Sequence, residues 1–363
     1  MKNTFGNAIS VTIFGESHGP YIGAVVDGIA PGIKIDREYI EAALKKRRPS
    51  GSISTARVEA DEFQIISGEF SGFTTGAPLT VIIPNTAKKS SDYSELSVKP
   101  RPSHADFAAQ CKYHGFQDYR GGGHFSGRVT AALVCVGAIL SSALLKKGIK
   151  IGTHIKSLGG IYDREIRESD IDELSKADFP VLVSDAAIKM RERIEEVKKG
   201  GDSIGGVLES MVTGVPSGVG EPWFDSVESM LSHALFSIPG VKGVEFGAGF
   251  GFANMCGSEA NDTFYTDGGN VYTKTNNNGG INGGITNGMP IVFKTAIKPT
   301  PSIFKEQSTV RLDTMENTTL KINGRHDPAI IHRAAAVVDA VTAISIADLL
   351  CVRFGTDYLR EEI

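Results

Sequence analysis

The sequence has few of the features that define several large classes of protein. Its cysteines lie far apart in the 363 residues and form no Cys-x-x-Cys pair. That spacing argues against zinc or iron–sulfur ligation by cysteine and against a disulfide framework. Aromatic residues are scarce at 8%, with the single tryptophan Trp223, which argues against a base-stacking surface for nucleic acids. The cysteines are Cys111, Cys135, Cys256 and Cys351.

An excess of one charge and a long hydrophobic run are also missing. The chain has 38 basic and 42 acidic residues, a net charge of −4, so nucleic acid is not favoured as a partner. Residues 1–6 lack the apolar core of a signal peptide. The longest apolar run, 129–145, is interrupted by Ser141 and Ser142 and is short for a membrane span. These absences predict a soluble protein of the cytoplasm.

Signatures of common cofactor sites are absent from the sequence as well. There is no HExxH sequence, no Walker A loop and no dinucleotide fingerprint. The histidines His18, His104 and His124 are far apart and lack the paired spacing of metal ligands. The sequence therefore predicts no metal site.

Residue patterning predicts a mixed α+β fold. Clusters of β-branched residues at 11–14 and 22–27 flank a glycine-bearing turn, which is typical of a hairpin. Asp36 is predicted to cap a helix that ends near Arg47, and Asp327 followed by Pro328 to cap the last helix. The other predicted strands are 63–67, 79–83, 151–161 and 204–215, and the other predicted helices are 129–145, 186–199 and 329–350. This order favours helices sandwiched between sheets.

The densest polar chemistry lies between Arg101 and Arg128. The stretch contains Arg-Pro-Ser-His-Ala-Asp and then Arg-Gly-Gly-Gly-His-Phe-Ser-Gly-Arg, directly before the apolar helix. A glycine-rich loop leaves backbone N–H groups unpaired, and the dipole of the following helix adds about half a positive charge. His104 and His124 can change protonation near pH 7. The segment therefore predicts an anion site with titratable groups.

Other polar segments have ordinary structural explanations beside functional ones. His18, within Gly-Glu-Ser-His-Gly, could face a pocket or belong to a turn. Arg47 and Arg48 could bind an anion or complement the C-terminal dipole of the first helix. The segment 298–302, Lys-Pro-Thr-Pro-Ser, suits a phosphate or a solvated loop, and Asp327 suits a plain helix cap. The residues alone leave these alternatives open.

The same residues are compatible with more than one function. A histidine-dependent phosphatase or phosphotransferase would use His18 or His124 as its nucleophile. A non-catalytic anion- or nucleotide-binding protein would use the glycine loops alone. The spacing of the residues does not decide between these two classes.

Taken in order, the polar segments resemble the chorismate synthase family from Gly15 to the final helix. No single segment is decisive, but the ordered set is specific to that family. The segments are Gly15-Glu-Ser-His-Gly, Arg48-Pro, Arg101-Pro-Ser-His-Ala-Asp, Arg120-Gly-Gly-Gly, Ser126-Gly-Arg128, Gly279-Gly-Ile-Asn-Gly-Gly-Ile, Lys298-Pro-Thr-Pro-Ser and Arg325-His-Asp-Pro.

The resemblance implies a lyase that converts 5-enolpyruvylshikimate 3-phosphate to chorismate and phosphate, the last common step of the shikimate pathway to aromatic amino acids. The reaction it implies is a 1,4-anti elimination that needs reduced FMN without net redox change. The reduced flavin would come either from NADPH used by the protein itself or from a separate flavin reductase.

The resemblance also implies an architecture. It predicts one domain over 1–363, a β–α–β sandwich with central helices between antiparallel sheets, assembled as a homotetramer. A pseudo-twofold duplication would divide the chain into halves of roughly 1–150 and 151–363. The likeness of Ile-Gly-Ala-Val-Val at 22–26 to Ile-Gly-Gly-Val-Leu at 204–208 agrees with that duplication.

The resemblance assigns roles to individual residues. His18 would protonate the departing phosphate, His104 would stabilise the reduced flavin, and Asp327 would act as the base at the flavin N5 edge. The residues that would hold the substrate's phosphate and carboxylates are Arg48, Arg101, Arg128 and Arg325. The residues that would hold FMN are His124, Phe125, Ser126, Pro239, Gly240, Gly283, Lys298, Pro299, Thr300, Pro301, Ser302 and Arg325.

The sequence departs from its family at three places in this predicted site. Most relatives have Arg-Ser-Ser-Ala-Arg where this chain has His124-Phe-Ser-Gly-Arg128. In the loop after Arg48, an arginine usual in the family is replaced by Ile53 with one residue deleted, and Arg57 follows nearby. Pro-Gly at 239–240 stands where many relatives carry Asn-Ala. All three differences fall on predicted flavin or substrate contacts.

Overall fold

The computed structural model describes residues 2–49, 51, 53–54, 60–86, 96–322 and 326–360. The strands are β1 (Thr4–Phe5), β2 (Ser10–Gly15), β3 (Tyr21–Asp27), β4 (Gln64–Ser67), β5 (Glu69–Phe70), β6 (Phe73–Thr74), β7 (Leu79–Pro84), β8 (Lys150–Leu158), β9 (Ile161–Tyr162), β10 (Gly206–Thr213), β11 (Val241–Phe246), β12 (Phe264–Asp267), β13 (Asn270–Thr273), β14 (Ile281–Asn282), β15 (Ile285–Thr286), β16 (Ile291–Ile297), β17 (Gln307–Arg311) and β18 (Glu316–Leu320). The α-helices are α1 (Arg37–Arg47), α2 (Asp106–Tyr113), α3 (Thr130–Lys146), α4 (Ile171–Leu174), α5 (Ser184–Lys199), α6 (Val227–Ser237), α7 (Gly257–Ala260) and α8 (Ile331–Phe354).

Two five-stranded antiparallel sheets form the outer layers of the structure. One has the strand order β1-β2-β3-β7-β4 and the other β11-β16-β10-β8-β9. In β16 and β7, alternating apolar residues bury one face of the strand, as Ile291, Phe293 and Ile297 do in β16. The first predicted hairpin is confirmed as β2–β3, in which Ile13 lies opposite Ala24.

The helices α3 and α8 form the middle layer. Helix α3 contacts β3 and β7, α8 contacts β8 and β10, and the two helices pack against each other. A helix covered on all sides must be apolar all round. The segments Gly127–Lys146 and Ile331–Phe354 agree with this, since each reaches a mean hydropathy of 2.0. By length and composition they could cross a membrane, but 72% and 89% of their apolar windows are buried within the protein. The predicted α+β fold, with helices between antiparallel sheets, is therefore confirmed.

Most predicted helices agree with the structure within a few residues. Asp36 caps α1, and its carboxylate accepts the backbone N–H of Tyr39 at 3.0 Å. The runs 129–145 and 186–199 form α3 and α5. The first large sheet uses strands that precede residue 150, and the second uses strands from residue 150 onward. The internal duplication itself stays a prediction.

The last helix begins later than predicted. Helix α8 starts at Ile331, and its N-cap residue Ile330 makes no side-chain cap bond. The predicted start at Ala329 with Asp327 as the cap is therefore wrong. The Asp327 carboxylate instead accepts a hydrogen bond from Nη1 of Arg333, a side chain in the first turn of α8, at 2.5 Å.

The two central helices approach each other closely at Gly137. A Cβ atom at this position would stand 2.4 Å from Cβ and 2.5 Å from Cα of Ala340. We expect Gly137→Ala to lower the free energy of unfolding by about 1–3 kcal/mol, because the backbone of α8 must move away. Denaturant unfolding measures this, with Gly257→Ala as the control because its new Cβ meets nothing within 4 Å. Equal stability of the two variants would contradict the close packing.

Candidate active site

A cavity of about 720 Å³ lies where the beginnings of α3 and α8 meet the turn between α6 and β11. Most of the predicted site residues line this cavity, although they come from distant parts of the sequence. They are His104, His124, Phe125, Ser126, Arg128, Pro239, Gly240, Lys298, Pro299, Thr300, Pro301 and Asp327.

Other predicted residues lie elsewhere. The described residues His18, Arg48, Arg101, Gly283 and Ser302 are not part of the cavity wall. Gly283 lies in the turn between β14 and β15, where an added Cβ would meet nothing within 4 Å. Arg325 and Arg57 fall outside the described residues.

The glycine loop before α3 packs directly on His18. Gly121, Gly122 and Gly123 all have positive φ angles, of 59°, 87° and 52°, which favour glycine. A Cβ at Gly121 would stand 2.3 Å from Cε1 of His18. Nδ1 of His18 lies 3.2 Å from Oγ of Ser17. His18 therefore packs against Gly121, a residue that lines the cavity.

The start of α3 faces the cavity through a short 3₁₀ turn over Gly127–Val129. Oγ of Ser126 accepts the backbone N–H of Arg128 at 3.3 Å and caps this turn. Nδ1 of His124 donates to the carbonyl of Gly15 at 2.8 Å, which leaves Nε2 as the acceptor nitrogen of the neutral ring. Phe125 is 37% exposed and meets Tyr113 edge to face. The chain's departures at 124 and 125 thus still contribute side chains to the wall.

Asp106 organises the segment 101–106. Its two oxygens accept Nε and Nη2 of Arg101, each at 2.8 Å. Oδ1 also lies 2.6 Å from Nδ1 of His104. Burial raises the pKa of Asp106, but the hydrogen bonds from Arg101 and His104 outweigh it and hold that pKa well below its ordinary value. The carboxylate thus fixes the His104 ring, with Nδ1 as donor and Nε2 available to a ligand.

Asp61 organises a second set of cations. Its side chain is fully buried and pairs with Nη2 of Arg47 at 2.8 Å and with Nη1 of Arg128. Nε of Arg48 lies 3.5 Å away. Arg128 also donates to Oδ1 of Asn85 at 3.0 Å. Arg47 and Arg128 line the cavity, whereas Arg48 contacts the same carboxylate from outside the cavity wall.

Arg333 joins Asp327 to the end of the first helix. Its Nη1 donates to Oδ2 of Asp327 at 2.5 Å, and its Nε donates to the carbonyl of Arg47 at 2.7 Å. The hydroxyl of Thr300 donates to the carbonyl of Asp327 at 2.8 Å. Arg333 itself lines the cavity. The Asp327 carboxylate is therefore held in one orientation at the wall.

Two lysines add positive charge beside the turn at 239–240. Nζ of Lys298 donates to the carbonyl of Ser103 at 2.6 Å, and Lys242 lines the same cavity. Burial and the charge of Lys242 lower the pKa of Lys298 below its ordinary value. Such a pair attracts a phosphate group, because the anion relieves the repulsion between the two ammonium groups.

Sequence reasoning missed Asp61, Asp106 and Arg333. Asp106 was visible as the last residue of Arg-Pro-Ser-His-Ala-Asp, and its spacing from Arg101 and His104 could have suggested a shared carboxylate. Asp61 gave no local signal, because it binds Arg47 and Arg128, 14 and 67 residues away. Arg333 lies near Asp327 in the chain, but its bond to the carbonyl of Arg47 spans 286 residues.

A cavity lined by guanidinium and ammonium groups, with an aspartate-bound histidine and a second carboxylate, is typical of enzymes that act on small molecules. In the described part of the chain, no group of histidine, cysteine and acidic residues is arranged to hold a metal ion.

The sequence matches one protein family along nearly its whole length. The family model described as chorismate synthase matches residues 9–351. The chain is 47% identical to the chorismate synthase of Aeropyrum pernix over 97% of its own length and 93% of the relative's. It is 46% identical to that of Thermococcus gammatolerans, over 96% and 97%. A crystal structure of chorismate synthase aligns with a TM-score of 0.75 at 28% identity, covering 96% of this chain and 94% of that one. The chain belongs to the chorismate synthase family and is a lyase, which confirms the resemblance.

Proposed function

We propose that this enzyme converts 5-enolpyruvylshikimate 3-phosphate to chorismate and phosphate by a 1,4-anti elimination that requires reduced FMN. The observation that carries the proposal is the cationic wall formed by Arg128, Lys298 and Arg333 beside the Asp327 carboxylate. The substrate has a phosphate and two carboxylates, and guanidinium groups bind such anions through charge-assisted hydrogen bonds. The proposed setting is a cytoplasmic homotetramer, supplied with reduced flavin through NADPH or a separate flavin reductase.

The cavity suits a flavin mononucleotide in size and in chemistry. Its volume of about 720 Å³ lies in the range of cofactor pockets. Phe125, Ile238 and Ile330 offer apolar surface for a ring system, while Lys298 and Ser126 offer polar groups. When bound, reduced flavin supplies electron density that helps to expel the phosphate and is recovered as the ring C–H bond breaks.

The residues of the chain would bind, orient and move protons. In the elimination, the C–O bond breaks with its electron pair leaving on phosphate, a C–H bond gives up a proton, and a new C=C bond forms. Asp327, fixed by Arg333, would hold that proton on its carboxylate. His104, held by Asp106, would present its Nε2 atom to the negative charge of the reduced flavin. His18, which packs against Gly121, would supply the proton to the departing phosphate.

An anaerobic assay with chemically reduced FMN tests the proposal. We expect chorismate and inorganic phosphate to form in equal amounts with reduced FMN, and neither product to form with oxidised FMN. Phosphate release that does not depend on reduced flavin would instead favour a histidine-dependent phosphatase. Flavin binding without any product would favour a non-catalytic binding protein.

Lys298 gives a separate prediction about cofactor binding. We expect Lys298→Met to weaken FMN binding by about tenfold or more, because one charge-assisted contact to the flavin phosphate is lost. Quenching of flavin fluorescence measures the affinity. Lys305→Met is the matched control, since Lys305 pairs with Asp202 on the surface at 2.7 Å. Equal affinities in the two variants would place the flavin phosphate elsewhere.

A further inference from the structure

Asp61 is a buried acid among the cations of the site, and the family resemblance assigns it no role. Its side chain has no exposed surface, and its backbone has a φ of 51°, in the left-handed region that few residues other than glycine, asparagine and aspartate adopt. Its burial costs free energy unless the charge is paired. We propose that Asp61 is a positioning residue that aligns Arg47 and Arg128 at the cavity wall and restrains the affinity of the free enzyme for anions.

The geometry supports the alignment. Each oxygen of Asp61 binds a different guanidinium group, Oδ2 that of Arg47 and Oδ1 that of Arg128. Arg47 ends α1 and Arg128 lies in the turn that leads into α3, so one carboxylate ties together two helix termini. Both arginines line the cavity wall, and Asp61 fixes one nitrogen of each guanidinium group.

The charge supports the restraint. Among the described residues, Arg47, Arg48 and Arg128 bring three positive charges to Asp61, so positive charge exceeds negative charge within this set of four. Burial alone raises the pKa of Asp61, but the charges and hydrogen bonds of Arg47 and Arg128 outweigh it. The pKa is therefore below its ordinary value, and the acid stays ionised. An anion that enters the cavity must compete with Asp61 for the same N–H groups. Asp61 thus weakens the binding of anions to the free enzyme, and it holds the guanidinium groups of Arg47 and Arg128 in a fixed orientation.

Asp61→Asn separates these two effects. Asparagine keeps the shape and tolerates the left-handed backbone, but it removes the negative charge. We expect the variant to bind inorganic phosphate at least about tenfold more tightly, since the repulsion between the anion and the buried carboxylate is removed. Turnover, which rests on the proposed function, should fall about tenfold or more because the arginines lose their alignment, while KM falls or stays unchanged.

Isothermal titration with inorganic phosphate measures the affinity without any need for turnover. Asp163→Asn is the control, because Asp163 is an equally buried acid that binds His154 at 3.1 Å and two loop N–H groups away from the cavity. It should lower the melting temperature and leave phosphate affinity unchanged. Asp61→Glu keeps the charge with a longer side chain, so it should keep wild-type phosphate affinity and lose turnover.

The outcomes are distinct. Unchanged or weaker phosphate binding in Asp61→Asn, with only a lower melting temperature, would make Asp61 purely structural and overturn the proposal. If Asp61→Asn does not fold, wild-type turnover in Asp61→Glu would overturn it. An enzyme without chorismate-forming activity would refute the proposed function, whereas the phosphate titration would still decide the role of Asp61.

Discussion

Replacing Asp327 by asparagine is expected to lower turnover by about 10²-fold or more while the protein stays folded. The amide cannot accept a proton, whereas its oxygen can still take the hydrogen bond from Arg333 that now holds the carboxylate at 2.5 Å. Substrate affinity should change less than turnover, because Arg47, Arg128 and Lys298 remain in place. Steady-state kinetics with reduced FMN separate the two effects.

Asp313→Asn is the matched control for this experiment. Asp313 also pairs with an arginine, Arg311, at 2.6 Å, but at the tip of the hairpin β17–β18 and exposed to solvent. It should keep wild-type turnover. Turnover near wild type in Asp327→Asn would remove Asp327 as the base, even if the rest of the proposed reaction were correct.

Replacing His104 by alanine is expected to have an effect of similar size, about 10²-fold on turnover. The imidazole is fixed by Asp106 at 2.6 Å, and its Nε2 is the nitrogen left to meet negative charge. Alanine removes that group while Arg101 and Asp106 keep their two hydrogen bonds. Turnover under anaerobic conditions measures the loss, and circular dichroism checks the fold.

Asp106→Asn tests how His104 is held. It should lower turnover less than His104→Ala, because the ring loses its charged acceptor at Nδ1 but keeps Nε2. His114→Asn, at an exposed helix end in the left-handed region, is the control and should keep wild-type turnover. Wild-type turnover in Asp106→Asn would show that Asp106 serves only Arg101.

The sequence predicted the fold where local signals decide the structure. Helix α3 follows from an apolar run long enough for one helix, and α1 from the Asp36 cap. The start of α8 was mispredicted because Asp327 and Pro328 look like a cap, while the Asp327 carboxylate binds the side chain of Arg333. The sequence does not say whether a backbone N–H or a side-chain donor will bind a given carboxylate.

The candidate site also shows how far local sequence patterns can predict side-chain contacts. Lys298 and His104, to which the family resemblance assigned roles, both line the cavity, because their segments are recognisable without the fold. Asp61 lies 67 residues from Arg128, to which it binds, and no local pattern connects them. Residues that act by holding another side chain are therefore the ones that sequence reasoning misses.

The middle layer also has a consequence for how the protein is made. Helix α3 is complete at Lys146, whereas α8, which packs against it, ends at Phe354. When the first half of the chain has emerged from the ribosome, α3 is therefore exposed on the face that α8 later covers, because α8 has not yet been synthesised. Such a surface attracts chaperones or other nascent chains. We expect the final collapse of the core to follow the synthesis of α8, and truncation before residue 331 to leave an aggregating product.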